Sequence, residues 1–339
     1  MKQLRTLALA GLLVALMTAN AAASDTSQAV CAARLAQSYE APAVSGPLKQ
    51  EQLDHCDVAH FYYGFDAAPD DAAALRCALH QRAHPSPGMA DIFAGPGVLS
   101  MLYANGRGVV RNIDLAERFV CENPWTAQAE LELRLEQLET LRLETGAARP
   151  FDLCDTATSG LSAGFCAGKQ ARFDDARRAR ELAAIKSAWT PAARQAFVAL
   201  QAAYAAFADT RFHEIERSGT ARNMLVIEDQ QLQQEQLLIN LRNFARSDLP
   251  LAGAADAGAA EREMARSLDR IQAAFAAGKD FGTIKLDGIQ QTQAAWLKAR
   301  EVWLDFAAVA WPGLNQDRLR TRLTRQRLHQ LQSLERFIG

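Results

Sequence analysis

The sequence predicts an all-α protein, in which a short array of helical hairpins precedes a disulfide-stapled helical bundle. Alanine, leucine, glutamine, arginine and glutamate dominate the composition, and runs of β-branched residues are almost absent. Apolar residues recur at helical spacing, and no stretch alternates with the period of two that a half-buried strand requires. The clearest helical stretches are Leu131, Leu135 and Leu138; Phe197, Leu200, Tyr204 and Phe207; and Met264, Leu268, Ile271 and Phe275.

Residues 1–23 predict a cleaved secretory signal. Lys2 and Arg5 form a short positive region, and an apolar core of about 11 residues runs from Leu7 to Met17. Small residues ending at Ala23 suit signal peptidase, and the apolar run is too short for a stable membrane span. We therefore expect a periplasmic protein, cleaved near Ala23, with no integral membrane segment afterwards.

The charge balance argues against a nucleic-acid partner. The chain has 37 basic and 39 acidic residues, and loss of Lys2 and Arg5 with the signal leaves 35 basic residues and a formal charge of −4. Nucleic-acid binding favours a basic surface. A weakly acidic chain is compatible with a basic protein partner.

Six cysteines remain after cleavage, and an oxidising compartment makes disulfides their expected state. The pairing of four of them is open on sequence grounds: Cys31, Cys56, Cys77 and Cys121. Cys154 and Cys166, in the stretch FDLCDTATSGLSAGFCAGK, are expected to pair with each other. Their spacing is too wide for a C-x-x-C redox motif, and no nearby histidine completes a zinc site. We expect reduction of this bond to lower the melting temperature of the C-terminal half.

Residues 31–145 predict the hairpin array. In the stretch LYANGRGVVRNIDLAERFVC, a helix is expected to end near Asn105, and Gly106 and Gly108 permit a tight turn with positive φ. The helix that follows should bury one apolar face, formed by Ala116, Phe119 and Val120.

This stretch resembles the Sel-type repeat, a tetratricopeptide-like helical hairpin, through Leu102-Tyr103, Gly106-x-Gly108-Val109, Asp114 and Ala116. An earlier copy with a shorter turn contains Tyr62-Tyr63-Gly64. The interval from Asp70 to Cys77 equals that from Asp114 to Cys121, and this equality aligns the two copies. Such hairpins bury a continuous core only by stacking. The resemblance implies a protein-contact or scaffold module.

Residues 150–337 resemble the family named for the lysozyme inhibitor LprI, in its N-terminal domain. The similar positions are Asp152, Cys154, Ala157 and Cys166 at the entry, and Gln293, Trp296, Arg300, Thr324 and Arg327 later. A fainter copy from Phe207 to Thr220 indicates a duplicated or expanded version. The second cysteine pair of many members is absent, with Leu304 and Ile215 in the corresponding positions. The resemblance implies inhibition of lysozyme by direct binding, and it transfers no catalytic residue.

Turn-forming residues mark the other boundaries. A domain junction is expected at residues 146–150, and loops are expected at residues 247–258 and 278–288. Pro191 fits the first turn of a helix capped by Thr190. Ile289, Trp296 and Trp303 predict a buried helical stripe, whereas Trp311, beside Pro312-Gly313, is expected to be exposed.

Two groups of residues in the first half of the chain have side chains of the kinds that bind metals. They are His55, Cys56 and His60, and Cys77, His80 and His84. These types suit zinc. The alternative is a disulfide that uses Cys56 or Cys77, with solvated histidines beside it. Export favours the disulfide, and we predict neither a metal nor a cofactor.

No enzyme is predicted, because the chain has no nucleophile elbow and no sharp cysteine–histidine signature. Gly95-Pro96-Gly97 is interpreted as a turn without the lysine of a phosphate loop. An acidic group near Gly219 is interpreted as a solvated tip between helices, with a loop that enters a basic cleft as the alternative. Its members are Glu214, Glu216, Glu228 and Asp229.

The predicted function is that of an exported, non-enzymatic binding protein. Its partner is expected to be a protein, with stoichiometric occlusion of a lysozyme-like muramidase as the leading hypothesis. The alternatives are a scaffold for envelope assembly or stress response, and an immunity protein against a wall-degrading effector.

Overall fold

The computed structural model describes residues 26–42, 48–86, 91–144, 149–246 and 253–338. These residues form α-helices and short 3-10 helices and no strand, which confirms the all-α prediction. None of the helices in these ranges combines the length and the apolar character that crossing a membrane requires. The predicted signal, residues 1–23, lies outside the described residues.

The chain divides into two compact units, unit 1 from Met1 to Cys166 and unit 2 from Ala167 to Gly339. This division falls inside a helix, downstream of the junction expected at residues 146–150. The physical reason is that Phe151 and Leu153, each 1% exposed, are buried in the apolar core of unit 1. The segment expected to open the second domain therefore completes the first unit.

Consecutive helices of unit 1 pack on one another, α3 on α4, α4 on α5, α5 on α6 and α6 on α7. This order is that of a short helical-hairpin array, as predicted. The helices are α1 (residues 26–36), α2 (Gln50–Leu53), α3 (Val58–Tyr63), α4 (Asp71–Ala83), α5 (Gly95–Asn105), α6 (Ile113–Glu122) and α7 (Gln128–Leu143), followed by a 3-10 helix (Leu153–Thr156) and the start of α8 (Gly160–Ser187).

The turn between α5 and α6 has the predicted form. Helix α5 ends at Asn105, and Gly106 and Gly108 adopt φ of 64° and 66°. The side chain of Asn112 then caps α6 by accepting a hydrogen bond from the Leu115 amide at 3.1 Å. The predicted inner face of α6 is buried at Ala116, Phe119 and Val120.

The earlier copy has the same turn. Gly64 ends α3 with φ of 63°, and Asp70 caps α4. Gly106 follows Gly64 by 42 residues, and Asn112 follows Asp70 by the same 42. The predicted alignment of Asp70 with Asp114 is therefore wrong, because the cap of α6 is Asn112 and Asp114 lies in the first turn of that helix. The prediction of a shorter first turn is also wrong, because the two intervals are equal.

Three disulfides hold unit 1, and they join Cys31 to Cys121, Cys56 to Cys77 and Cys154 to Cys166. The predicted Cys154–Cys166 bond is present. It lies in unit 1, although the sequence placed it at the entrance of the C-terminal domain. No cysteine follows Cys166 in the chain, so unit 2 has no disulfide of its own.

Unit 2 is a bundle in which helices distant in sequence pack together, α9 against α12 and α11 against α13. The predicted stripes of α9 and α12 are buried, with Phe197 and Leu200 at 0% and Trp303 at 1% exposure. Trp311, predicted to be exposed, packs partly buried against this core. The helices are α9 (Pro191–Thr210), α10 (Arg222–Ala245), α11 (Ala254–Ala276), α12 (Leu286–Ala310) and α13 (Gln316–Ile338), with a 3-10 helix (Arg211–Glu214) after α9.

Two segments expected to be irregular are helical. Helix α11 begins at Ala254, within the loop expected at residues 247–258, because alanine favours helix and the Asp256 side chain caps the Gly253 amide at 2.9 Å. Residues 247–252 lie outside the described part. Gly95-Pro96-Gly97, expected as a turn, is the first turn of α5, where proline at the start of a helix is favourable.

Candidate functional site

An open cleft of about 710 Å³ lies in the described part of unit 1. The end of α2, the ends of α4 and α6 and the start of α5 form its walls. Its volume falls in the range of small-molecule and cofactor sites. The sequence predicted no site here.

Asp54 and His80 form one wall of the cleft. His80 Nε2 lies 3.0 Å from Asp54 Oδ1, and the rings of His80 and His84 stack with centroids 4.4 Å apart. The Cys56–Cys77 disulfide joins the segment after α2 to α4, and the Gln81 amide donates to the Cys56 carbonyl at 3.0 Å. The disulfide therefore positions Asp54 against the histidines.

An ion pair forms a second wall. Arg82 donates two hydrogen bonds to the Glu122 carboxylate, at 2.6 and 2.9 Å, and Arg118 donates a third at 2.8 Å. The Arg82 guanidinium also lies 4.9 Å from the ring centroid of Tyr39. The hydrogen bonds that Arg82 donates to Glu122 help to raise the pKa of Arg82. This wall therefore holds two guanidinium groups around one carboxylate.

Asp91 introduces a carboxylate in the turn that precedes α5. Its Oδ1 accepts a hydrogen bond from the Phe93 amide at 2.8 Å. Burial raises the pKa of the Asp91 carboxyl, the Phe93 hydrogen bond opposes this shift, and the nearby charge of Asp57 adds to it. No ion pair involves Asp91 within the described residues.

Trp125 presents a partly exposed indole, with 38% of its surface accessible, to the same cleft. Asn123 holds it in place. The Asn123 side chain donates to the Ile92 carbonyl at 3.2 Å and accepts from the Trp125 amide at 3.1 Å. One buried side chain thus connects the turn that carries Asp91 to the turn that carries Trp125.

The histidine groups do not form a metal site. Cys56 and Cys77 are bonded to each other, so their sulfur atoms are not free as ligands. Within the ranges that the structure describes, no group of three or more histidine, cysteine, aspartate or glutamate side chains could hold a metal ion. Asp54 and His80 have the form of an acid–base pair, and among the described contacts no hydroxyl nucleophile is hydrogen-bonded to His80.

The entry motif is part of the fold of unit 1. Asp152 accepts from the Cys154 amide at 2.8 Å and from the Tyr63 hydroxyl at 3.1 Å. Ala157 ends the 3-10 helix that carries Cys154. Asp152 therefore connects this helix to the first hairpin.

Glu130 fixes the same segment from the side of α7. Its carboxylate is fully buried and accepts from the amides of Thr158 and Ser159 and from the Ser162 hydroxyl, at 2.9, 2.7 and 2.7 Å. Burial opposes ionisation, but these donors together hold the pKa of Glu130 below its usual value. No pattern in the sequence indicates this role.

The later motif positions lie inside unit 2. Arg327 is fully buried, donates to both oxygens of Glu214 at 2.9 and 2.5 Å, and donates to Gln293 Oε1 at 3.0 Å. Glu214 also binds Arg211, which in turn binds Asp229 at 2.8 Å. The solvated tip predicted for the acidic residues is thus wrong for Glu214, because two arginines draw it into the core.

Arg300 contacts the other two later motif positions, Trp296 and Thr324. Its guanidinium lies 5.1 Å from the ring centroid of Trp296 and 3.4 Å from Thr324 Oγ1, and it forms ion pairs with Glu261 and Glu301 at 3.0 and 2.9 Å. Thr324 is fully buried, and Trp296 is 7% exposed. These motif residues build the interior of unit 2 and offer little surface to a partner.

Sequence reasoning missed the residues that form the cleft, among them Asp91, Asn123 and Trp125. One local signal was present, since Asn123-Pro124 is a turn dipeptide and an aromatic residue follows it. Its contact with Ile92 spans 31 residues. No local pattern indicates a contact of that kind.

The fold and the cleft define an all-helical protein whose hairpin unit is held by disulfides and carries an open, mixed polar and aromatic site. Comparison with protein-family models, with curated proteins and with solved structures finds no match to this chain. The resemblances to the Sel-type repeat and to the lysozyme-inhibitor family stay predictions that rest on the residues quoted above.

Proposed function

We propose that this chain is an exported binding protein that holds a segment of a protein partner in the cleft of unit 1. The cleft carries the proposal, because about 710 Å³ of open space lies beside a partly exposed tryptophan. Tryptophan is enriched among the residues that dominate binding energy at interfaces. Three disulfides suit an oxidising compartment such as the periplasm.

The narrower hypothesis is that the partner is a lysozyme-like muramidase, inhibited by stoichiometric occlusion. The resemblance of residues 150–337 to the lysozyme-inhibitor family supports it. The matching residues of unit 2 are buried, and we assign them a role in the stability of that unit. We therefore place the contact surface on the cleft of unit 1.

The test measures binding of the mature protein to a panel of purified muramidases, together with lysis of cell walls. We expect Trp125→Ala to weaken binding by about tenfold or more, as for a central aromatic anchor. Leu143→Ala is the matched control, since Leu143 is 72% exposed in unit 1 and does not line the cleft. It should bind like the wild type.

Two results would contradict these proposals separately. Absence of binding to every muramidase at micromolar protein removes the inhibition hypothesis. Binding that Trp125→Ala leaves unchanged removes the cleft as the contact surface.

A scaffold role is the second candidate, favoured by the position of the cleft in the hairpin unit. For this role we expect a purified envelope protein, and no muramidase, to bind with the same sensitivity to Trp125→Ala. Reconstitution of that complex from the two pure proteins, with one binding site per chain, would separate the scaffold from the inhibitor.

A further inference from the structure

We propose that the cleft of unit 1 accepts a cationic side chain of its ligand, an arginine guanidinium or a lysine ammonium, between the Asp91 carboxylate and the Trp125 indole. This inference rests on the proposed function, since it names the chemistry of the segment that the cleft holds. It assigns the contact to Asp91 and Trp125, and it makes Asn123 a positioning residue.

One carboxylate that lines the cleft has no ion-pair contact among the described residues. The lining contains three acidic residues, one arginine and two histidines. Glu122 binds both Arg82 and Arg118, and Asp54 lies against His80. Asp91 has no ion pair among the described residues, and residues 87–90, the segment just before it, contain no ionisable side chain.

Burial makes a cation the favourable partner for this carboxylate. Withdrawal from water disfavours the charged form of Asp91, which raises its pKa, and the nearby charge of Asp57 acts in the same direction. A guanidinium or ammonium group placed beside Asp91 stabilises the charged form. An anionic ligand at this position would instead place a second negative charge beside the Asp91 carboxylate.

The second side of the proposed contact is the face of an indole. Cations bind to tryptophan faces through the negative potential of the ring. Asn123, 7% exposed, bonds the backbone of Ile92 and that of Trp125. The carboxylate and the indole are therefore held on neighbouring turns by a single buried amide, before any ligand arrives.

Capped tripeptides test the chemistry directly. The probes are N-acetylated, C-amidated Gly-Arg-Gly, Gly-Lys-Gly, Gly-Gln-Gly and Gly-Glu-Gly. The readout is the NMR signal of the Trp125 indole N–H, which is assigned by its loss in Trp125→Phe. We expect a saturable shift with the arginine and lysine peptides, a weaker shift at high salt, and no saturable shift with the other two.

Asp91→Asn is the decisive variant. Asparagine keeps the shape and an oxygen that accepts from the Phe93 amide, so the turn should persist, and a melting curve verifies this. We expect affinity for the arginine peptide to fall about tenfold when the carboxylate charge is removed. Glu136→Gln removes the same charge from an exposed position of α7 outside the cleft and should leave affinity unchanged.

The inference is overturned if the glutamine peptide binds as well as the arginine peptide, if no peptide gives a saturable shift, or if Asp91→Asn binds like the wild type. Failure of the proposed function has a different signature. If a protein partner binds Trp125→Ala as tightly as the wild type, the cleft is not the contact surface. If its affinity falls with Trp125→Ala but is unchanged by Asp91→Asn, only the cationic contact is contradicted.

Discussion

Arg327 and Glu214 lie 113 residues apart in the chain and form a bidentate ion pair in the interior of unit 2. The resemblance to the lysozyme-inhibitor family made Arg327 a motif position, and local charge patterning placed Glu214 on a solvated surface. A carboxylate that pairs with a distant arginine has no local signature. The motif therefore singled out Arg327, but no local pattern indicated that Glu214 is buried against it.

Removal of one partner of this pair should be costly. We expect Arg327→Met to lower the free energy of unfolding of unit 2 by about 3–5 kcal/mol, because Glu214 loses its main buried counter-charge. Urea unfolding followed by tryptophan fluorescence measures this. Arg270→Met is the control, since Arg270 pairs with Glu335 on the surface, and it should cost less than about 1 kcal/mol. Equal losses for the two variants would contradict a structural role for the buried pair.

The charged carboxylate of Asp91 is proposed to strengthen binding, but we expect it to lower the stability of unit 1. Because burial raises its pKa in the folded state, protonation favours the folded state, and the contribution of Asp91 to stability improves as pH falls through that pKa. We expect Asp91→Asn to raise the melting temperature of unit 1 near neutral pH. The further rise in melting temperature on mild acidification should be smaller for this variant than for the wild type. Thermal melts over a pH series check this, and a lower melting temperature of Asp91→Asn at neutral pH would refute it.

At the scale of elements, helical period predicted which faces are buried, and glycine predicted where the hairpin turns. The stripe of α9 and the turn at Gly106 and Gly108 are observed as expected. The start of α11 was missed, because a stretch of small residues is compatible both with a loop and with an alanine-rich helix. The correspondence of the two hairpins was also misaligned, since the capping residues, Asp70 and Asn112, differ in type.

Gly108 provides a test of the hairpin turn. Its φ is +66°, and a Cβ would lie 3.0 Å from Asp71 Cβ. Gly278 has a similar φ of +76°, but no atom lies within 4 Å of its Cβ position. We expect Gly278→Ala to cost about 1–2 kcal/mol from backbone conformation alone and Gly108→Ala to cost more, because it adds the contact with Asp71. Denaturant unfolding of both variants measures the difference, and equal costs would show that the turn accommodates the methyl group.

At the scale of the whole molecule, composition and cysteine number predicted an all-helical chain with disulfides, but not the point at which it divides. The sequence offered a glycine- and proline-containing junction at residues 146–150. The structure continues unit 1 to Cys166, because Phe151 and Leu153 complete its core and Glu130 holds the start of α8. Hydrophobic burial outweighs turn composition in setting this boundary.

The position of the Cys154–Cys166 bond gives a prediction about both units. We expect the double substitution Cys154→Ser and Cys166→Ser to lower the stability of unit 1 by about 3 kcal/mol in the chain-entropy model and to leave unit 2 unchanged. Trp125 is the only tryptophan before Ala167, so its fluorescence reports unit 1, and the Trp125→Phe background reports unit 2. A loss confined to the unit 2 signal would restore the assignment made from sequence.

The order of the cysteines along the chain has a consequence for biogenesis. The bond from Cys56 to Cys77 is nested inside the bond from Cys31 to Cys121. An oxidant that joins cysteines in the order in which they emerge links Cys31 to Cys56, and neither residue can then reach its native partner. Correct maturation of unit 1 therefore depends on thiol–disulfide exchange or on oxidation delayed until Cys121 is available, whereas unit 2, which has no cysteine, matures without either.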